Sequence, residues 1–594
     1  VPFTIGSERD GSNGADYGFN GYIQDVRVYK GIAKYKGGFD GPKPYTPVGI
    51  EAFRTTADTC KNNFATLNPL YKEVSVVLSN GNLGAIRSAG WGGVTSTIGL
   101  NGGKYYWEVM IDSGSANNYL HAGITDNSQA LANASGSGHE SNIMYFTEDN
   151  TVKDNSTSTA TGLTIGIGDI LQLAFDGTTR EFFVGVNGTF ANSGNAIITA
   201  PAGYNYVAIT QNATTPHTVN FGQNPSFSGQ TTAGTNTDGN GKGLFKYAPP
   251  TGFLALCEDN LPTPAIADPG DYMRTVLYTG DGNSGRSITG VGFQPDLVWL
   301  KSRTNNASHR LSDSVRGVNK QLMSNTTEVE ATFTTMLTSF DSDGFALGDN
   351  AGINGSGYTN VAWCWKAGGA AVSNTDGSIT TQVSANQTAG FSIVKGTQTS
   401  GTTTFGHGLG KAPKMIITKQ TNGTTGWYTW HTGIPITEAL RLDNTTASTS
   451  FPHWVTLPTD SVFSMGSGFG SGETYIAYCW AEIEGFSKFG SYAGNGSANG
   501  PFVYCGFKPA FIMFKNTDAT GNWVMSDSSR DSNNPVFGYQ VAEGTAIEER
   551  GTALFDSLSN GFKMRNSWVS FNGDTNNIIF MAFAESPFQT ANAK

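Results

Sequence analysis

Pro295-Asp-Leu-Val-Trp-Leu-Lys301, Pro413-Lys-Met-Ile-Ile-Thr-Lys419 and Pro509-Ala-Phe-Ile-Met-Phe-Lys515 are three settings of one phrase. In each, Lys follows Pro by six residues and the run between them is largely apolar. Such a run reads as a buried strand, and Pro is allowed at its start because the first residue need not donate a ladder bond. Each phrase is answered downstream by an aromatic strand: Val361-Ala-Trp-Cys-Trp365, Ile476-Ala-Tyr-Cys-Trp480 and Ile579-Phe-Met-Ala-Phe583. The spans from Pro to the last aromatic are 70, 67 and 74 residues. Two copies also open alike, with Tyr278-Thr-Gly280-Asp-Gly282 and Tyr492-Ala-Gly494-Asn-Gly496, each Tyr 17 residues before its Pro. The recurrence defines three modules of one fold, each a small β-sandwich.

Composition agrees with an all-β chain. Charged residues make up 14% of the 594, against roughly 25% in an average globular protein. Gly, at 77 residues, together with Asn, Ser and Thr, takes the place of charge and suits short strands joined by tight turns. Residues 50–256 form a different unit, with strand signals at Tyr105-Tyr-Trp-Glu-Val-Met110, Ile170-Leu-Gln-Leu-Ala-Phe175 and Phe182-Phe-Val-Gly-Val186. The stretch 226–243, rich in Ser, Thr, Gly and Asn, reads as an exposed loop or linker, and Pro262, Pro264 and Pro269 mark the boundary before the repeats. The expected fold class is therefore all-β, with serial β-sandwich domains in a row. The net charge of -11, with no long basic run, argues against nucleic acid as a partner. No apolar stretch reaches the roughly 20 residues that cross a bilayer, so no membrane insertion is expected. The chain opens Val1-Pro2-Phe3 without an initiator Met or a signal peptide, so the numbering is expected to begin inside a longer protein or at a processed end. Five scattered cysteines (Cys60, Cys257, Cys364, Cys479, Cys505) read as free buried thiols, consistent with assembly in a reducing cytoplasm.

Three resemblances carry the reading further. Residues 18–35, with Gly21-Tyr22-Ile23 followed by Asp25-Val26-Arg27-Val28-Tyr29, resemble the final strand of laminin-G-like domains of the concanavalin A-like class. Residues 50–256 resemble a SPRY domain through Gly103-Lys-Tyr-Tyr-Trp107-Glu108-Val109, His121-Ala-Gly123-Ile124, Gly168-Asp169-Ile170, Phe183-Val-Gly-Val-Asn187-Gly188 and Val219-Asn-Phe221-Gly222. The segment from Phe245 to Pro262 resembles a junction in marine phage structural proteins, where a SPRY-type domain meets a repeated domain of unknown function, and residues 273–369 resemble that repeated domain. The implied division is 1–47, the end of a laminin-G-like domain; 48–262, a SPRY-like sandwich; then modules at 263–375, 388–486 and 487–594. The resemblance implies a virion structural protein, a tail fibre or surface appendage, assembled in the host cytoplasm and engaged in host attachment. The implied partners are other virion proteins and a host glycan or protein. Sandwiches strung in a row resist bending poorly, so further copies of the chain, wound into a trimer, are expected as well. The alternatives are a depolymerase with its active site in a missing N-terminal part, a bacterial surface adhesin, and a capsid decoration or head fibre.

No enzyme, cofactor or metal site is expected. The seven histidines (121, 139, 217, 309, 407, 431, 453) lack metal-ligand spacing. His407, His431 and His453 share one module but read as surface or loop residues. The carboxylate pairs Glu482/Glu484 and Glu328/Glu330 read as solvated acidic faces, since a pair alone assigns no acid and base. The glycine strings at 406–410 and 468–472 read as turns, because neither follows a strand and opens a helix. Trp427, Tyr428, Trp430 and Trp454 sit among Gly, Thr, His and Pro, and are the candidate ligand-facing loop aromatics, flat platforms on which a sugar could stack.

Overall fold

In a computed structural model of the chain, the described residues are 58–590, apart from 60–61, 88–90, 113–118, 127–141, 155–156, 202–205, 213 and 467–469, plus the backbone of two short paired strands, Ser7–Arg9 and Ala15–Gly18. Beyond Gly18, the laminin-G-like stretch at 18–35 lies outside the described residues, as do Cys60 and His139. Strands dominate, every sheet is built from antiparallel neighbours but for one short parallel pairing, and the α-helices among the described residues are single turns. The protein is all-β.

The first unit is a sandwich of two large sheets. One runs, edge to edge, from Ser158–Ala160 through Ile143–Phe146, Leu120–Asp126 and Tyr206–Asn212 to Leu67–Lys72. The other is centred on Lys104–Ile111 and Ile170–Asp176. Trp107, Leu173, Ile124 and Tyr145 meet in the core between them. The 226–243 stretch is a loop, exposed over much of its length but pinned at a few points. Phe227 is buried, and the Asp238 carboxylate accepts from the backbone N–H groups of Asn240, Lys242 and Ala255, each at 2.8 Å. One aromatic and one carboxylate are enough to tie a polar segment down. A buried Glu108 does the same for the junction that follows, accepting from Lys246 N (3.0 Å), Tyr247 N (2.8 Å), Asn220 Nδ2 (3.0 Å) and the Tyr106 hydroxyl (3.0 Å).

The three repeats share one strand order. The strands of the first are β1 (Met273–Thr279), β2 (Leu297–Ser302), β3 (Arg310–Asp313) and β4 (Thr359–Trp365); those of the second are β5 (Phe391–Thr397), β6 (Met415–Gln420), β7 (Tyr428–His431) and β8 (Thr474–Trp480). The third has β9 (Ser487–Ala493), β10 (Phe507–Asn516), β11 (Val524–Asp527) and β12 (Asn577–Pro587). The sheets run β1-β4-β2-β3, β5-β8-β6-β7 and β9-β12-β10-β11, the last two extended at their margins by short strands. Register is equally repetitive: the residue two after each Pro pairs with the closing aromatic, Leu297 with Trp365, Met415 with Trp480 and Phe511 with Phe583. Pro295 and Pro413 precede their strands, whereas Pro509 lies inside β10 at a shift of register, which an imino nitrogen tolerates. Tyr278 and Tyr492 donate their hydroxyls to equivalent carbonyls, Ile353 O (2.8 Å) and Phe571 O (2.5 Å).

Side chains alternate across each closing strand, and this decides the architecture. On β4, Ala362 and Cys364 face a small second sheet and a private core with Ile288, Phe345 and Leu347. Val361, Trp363 and Trp365 face the other way, into a core shared with the inward residues of the other two modules. Trp365 packs edge-on against Trp480 (centroids 6.3 Å apart), Phe583 (5.9 Å) and Phe511 (5.6 Å). The modules are consecutive in sequence but do not stand in a row: they close into a ring of three around a common aromatic axis. The first sandwich docks on the third module through the outer face of its first sheet. There Tyr71, Met144, Phe146 and Ile209 meet Phe502 and Tyr504. Gly99 permits the approach, since a Cβ there would lie 2.5 Å from the Tyr504 ring.

Trp365→Ala is expected to destabilise the chain by about 3–5 kcal/mol. Because the core is shared, amide exchange should rise in β8 and β12 as well as in β4. A rise confined to 273–365 would contradict the shared core.

Candidate functional site

The repeated Lys is not on the surface. Lys301, Lys419 and Lys515 are all buried, and burial pushes each ammonium down to about 8. Their amines donate to backbone carbonyls, and two reach the neighbouring module: Lys301 to Thr545 O (3.2 Å) and Lys515 to Thr445 O (2.9 Å). Counting from these lysines reveals the joints of the ring. Two residues on, a carbonyl accepts a backbone bond from the next module: Arg303 O from Glu548 N (2.8 Å), Thr421 O from Glu330 N (3.1 Å) and Thr517 O from Ser448 N (2.8 Å). Eight residues on, a ring nitrogen donates across the joint: His309 Nε2 to Val541 O (3.0 Å), Trp427 Nε1 to Met323 O (2.8 Å) and Trp523 Nε1 to Arg441 O (2.8 Å). The sense is cyclic. Module 1 grips module 3, module 3 grips module 2, and module 2 grips module 1.

Twelve residues after the Lys the joints diverge. Asp313 and Asp527 each form a fully buried ion pair three residues ahead, with Arg316 and Arg530. The closing strand of the gripping module then bonds that Asp, through Tyr478 OH to Asp313 (2.8 Å) and Trp363 Nε1 to Asp527 (3.0 Å). The third joint has His431 in place of Asp, and its Nε2 donates to Phe580 O (3.1 Å) while Nδ1 accepts from Gly433 N (2.9 Å). Glu548 adds a two-pronged bond with Arg303 (2.6 and 3.1 Å). Burial raises the Glu548 carboxyl, but the surrounding Arg303, Arg530 and Arg550 prevail and hold it down to about 2.

These placements correct the expected ligand platform. Trp427, Trp430 and Trp454 are buried, Trp427 in the joint just described, and only Tyr428 is partly exposed. Tyr428 stacks on Phe451 (4.8 Å) and His453 (4.4 Å) with Arg441 over its ring (5.2 Å), so both faces are taken. The Gly and Thr around them make turns that fold the aromatics inward. The histidines of this module are buried rather than superficial, and they do not converge: His407 bonds Thr459 O, His431 bonds Phe580 O and His453 bonds the Thr418 hydroxyl. The acidic pairs are not wholly solvated: Glu482 holds Lys488 at 2.9 Å, and Glu330 lies 3.4 Å from Arg316. Cys257, Cys364, Cys479 and Cys505 are free and buried. Among the described residues, no group of three or more His, Cys, Asp or Glu is placed to hold a metal ion.

Where the first sandwich meets the third module, the docking leaves a cleft of about 320 Å³. Asn68, Leu70 and Asn82 form one wall, and Phe502, Leu558 and Ser559 the other. At its floor Asn560 Nδ2 donates to Thr97 O (2.6 Å), and nearby the Lys563 amine donates to Leu70 O (2.9 Å). Sequence reading missed this cleft because its two walls are more than 400 residues apart in the chain.

The fold and these joints define an all-β protein in which a two-sheet sandwich rides on a closed ring of three repeats. Residues 268–587, which take in all three repeats, match the family model described as a domain of unknown function, DUF7483, and the chain belongs to that family. Over about a quarter of its length the chain is also similar to solved SPRY structures. These are the SPRY domain of human HERC1 (14% identity, 26% of this chain and 96% of that chain, TM-score 0.22), a human SPRY domain (13%, 24% and 94%, 0.21) and the TRIM65 PSpry domain (10%, 26% and 92%, 0.22). No curated protein matches the sequence.

Burial lowers the basicity of His217, His309, His407, His431 and His453, with His431 at about 3. Between pH 3 and 6.5 the unfolded chain binds protons at His431 that the folded chain refuses, so stability falls as pH drops through that window. At pH 4.5 this one residue should cost about 2.5 kcal/mol relative to pH 7. Urea melts at the two pH values should show the loss, and His431→Gln should lessen it. An equal loss in the variant would refute the assignment.

Proposed function

We propose that this chain is a structural component of a virion, a tail fibre or comparable surface appendage of a marine bacteriophage, and that it serves host attachment. The observation that carries the reading is the ring. Three sandwiches joined through one aromatic core, with a fourth sandwich docked on them, make a stiff body whose repeats serve support rather than chemistry. The resemblance of residues 245–262 to a junction in marine phage structural proteins supplies the setting, and Glu108 gives that junction a mechanical role by clamping Lys246 and Tyr247 to the sandwich. Antibodies raised against residues 268–587 should decorate particles carrying the encoding genome, and their Fab fragments should slow adsorption to the host. Label found only in lysed cells and never on particles would overturn the proposal.

Self-association as a trimer belongs to the same proposal, with a changed rationale. One chain already completes a threefold arrangement of modules, so a trimer of chains would serve to multiply weak receptor contacts rather than to stiffen a row of sandwiches. Light scattering on the purified chain should give three times the mass of one chain. A single-chain mass at micromolar concentration would remove the trimer and leave a monomeric appendage.

A further inference from the structure

We infer that the cleft between the first sandwich and the third module is a binding site for a short, uncharged glycan segment. This rests on the attachment reading and gives it a location and a ligand class. None of the ten residues that line the cleft is charged. Four of them are apolar, with Leu70 exposed to a ligand and Phe502 buried behind it in the docking contact, and the other six carry amides or hydroxyls. That mixture matches a sugar ring, which presents C–H faces and a rim of neutral hydroxyls. The amides and hydroxyls have capacity to spare. Asn68 uses its Oδ1 on Leu70 N (2.9 Å), and Asn560 uses its Nδ2 on Thr97 O, so each keeps the other end of its amide. The side chains of Asn82 and Ser559 make no hydrogen bond to a described residue.

Charge separates this ligand class from its neighbours. A sialylated, sulfated or phosphorylated glycan calls for Arg or Lys at the contact, because an anion stripped of water needs a partner. Lys563, a cation of this wall that lies beside the cleft, spends its amine on Leu70 O and Gly500 O (2.6 Å), and burial pushes it down to about 8. The net charge of -11 adds a field that repels polyanions. The volume of about 320 Å³ stands at the small end of ligand sites, room for about two sugar rings. A site this small and open binds weakly on its own and depends on repetition over many copies for hold.

The two walls also set the geometry of recognition. Asn82 sits in the turn of a hairpin with a left-handed backbone (φ +65°), a conformation Asn accepts and glycine accepts freely. It can therefore be stripped of its amide without strain. Ser559 stands opposite, where a large side chain would fill the space.

The test uses the full chain. Saturation-transfer NMR with a panel of neutral di- and trisaccharides, and with sialylated and sulfated counterparts, reads binding directly, and fluorescent chain on host cells reads attachment. Neutral sugars should give signal and the acidic ones none. Asn82→Gly should weaken binding about tenfold, and Ser559→Trp should abolish it, both with an unchanged melting temperature. Signal that persists in both folded variants, signal from acidic sugars alone, or none from any sugar would overturn the inference. Wild-type chain that coats host cells while both variants coat them equally would sink the cleft and spare attachment. Wild-type chain that binds neutral sugars through the cleft yet fails to coat host cells would do the reverse.

Discussion

Everything in the ring depends on the closing strands turning one face inward. Period-two alternation puts Trp363 and Trp365 on one side of β4 and Cys364 on the other, so one strand serves two cores. The outer core is local and belongs to one module. The inner core exists only when Trp365, Trp480 and Phe583 are brought together by all three. Aromatic rings suit that position because each removes a large area from water and prefers the edge-on contacts seen here, worth about 1 kcal/mol per pair beyond burial. The buried lysines, indoles and ion pairs follow from that closure. Around a dry axis backbone groups that cannot reach water must be answered, and the residues two and eight positions past each Lys answer some of those at the joints, while the twelfth takes a side-chain or carbonyl bond from the neighbouring closing strand.

The strands, their register and the kinship of the three modules were legible in the sequence, because Pro, Lys and the closing aromatics mark fixed points on a ladder. Their assembly was not. Alternation says that a strand has two apolar faces; it does not say which neighbour covers the second one. The same ambiguity misplaced Trp427. Aromatic residues among Gly, Thr and His look like an exposed platform when only composition is read. Alignment on Lys419 would have set Trp427 beside Trp523 and His309, all eight residues past a repeated Lys, and a recurring aromatic at fixed spacing points to a recurring contact. Asp313-Ser-Val-Arg316 and Asp527-Ser-Ser-Arg530 carry a second such signal. The cleft had no signal at all, since neither wall is a motif and their meeting depends on tertiary docking.

A single chain has a freedom that a homotrimer lacks. In an assembly of identical subunits, one substitution changes every interface at once. Here the joint between the second and third modules has His431 bonded to a carbonyl where the other two have ion pairs. The match of the family model to all three repeats as one stretch agrees with the ring, rather than the single sandwich, as the unit of the family.

That closure also orders the birth of the protein. The grip of the first module on the third spans long stretches of chain, 245 residues from Arg303 to Glu548. While a ribosome is still translating the third repeat, Trp365 and Trp480 lack the Phe511 and Phe583 rings of the third module that complete the core around Trp365. An apolar face of that size, held open for seconds at ordinary elongation rates of roughly 5–20 residues per second, is the kind of surface that chaperones hold and that crowded nascent chains stick to. Synthesis therefore leaves the ring vulnerable until β12 arrives, and the strand that closes the ring is the one that removes the hazard.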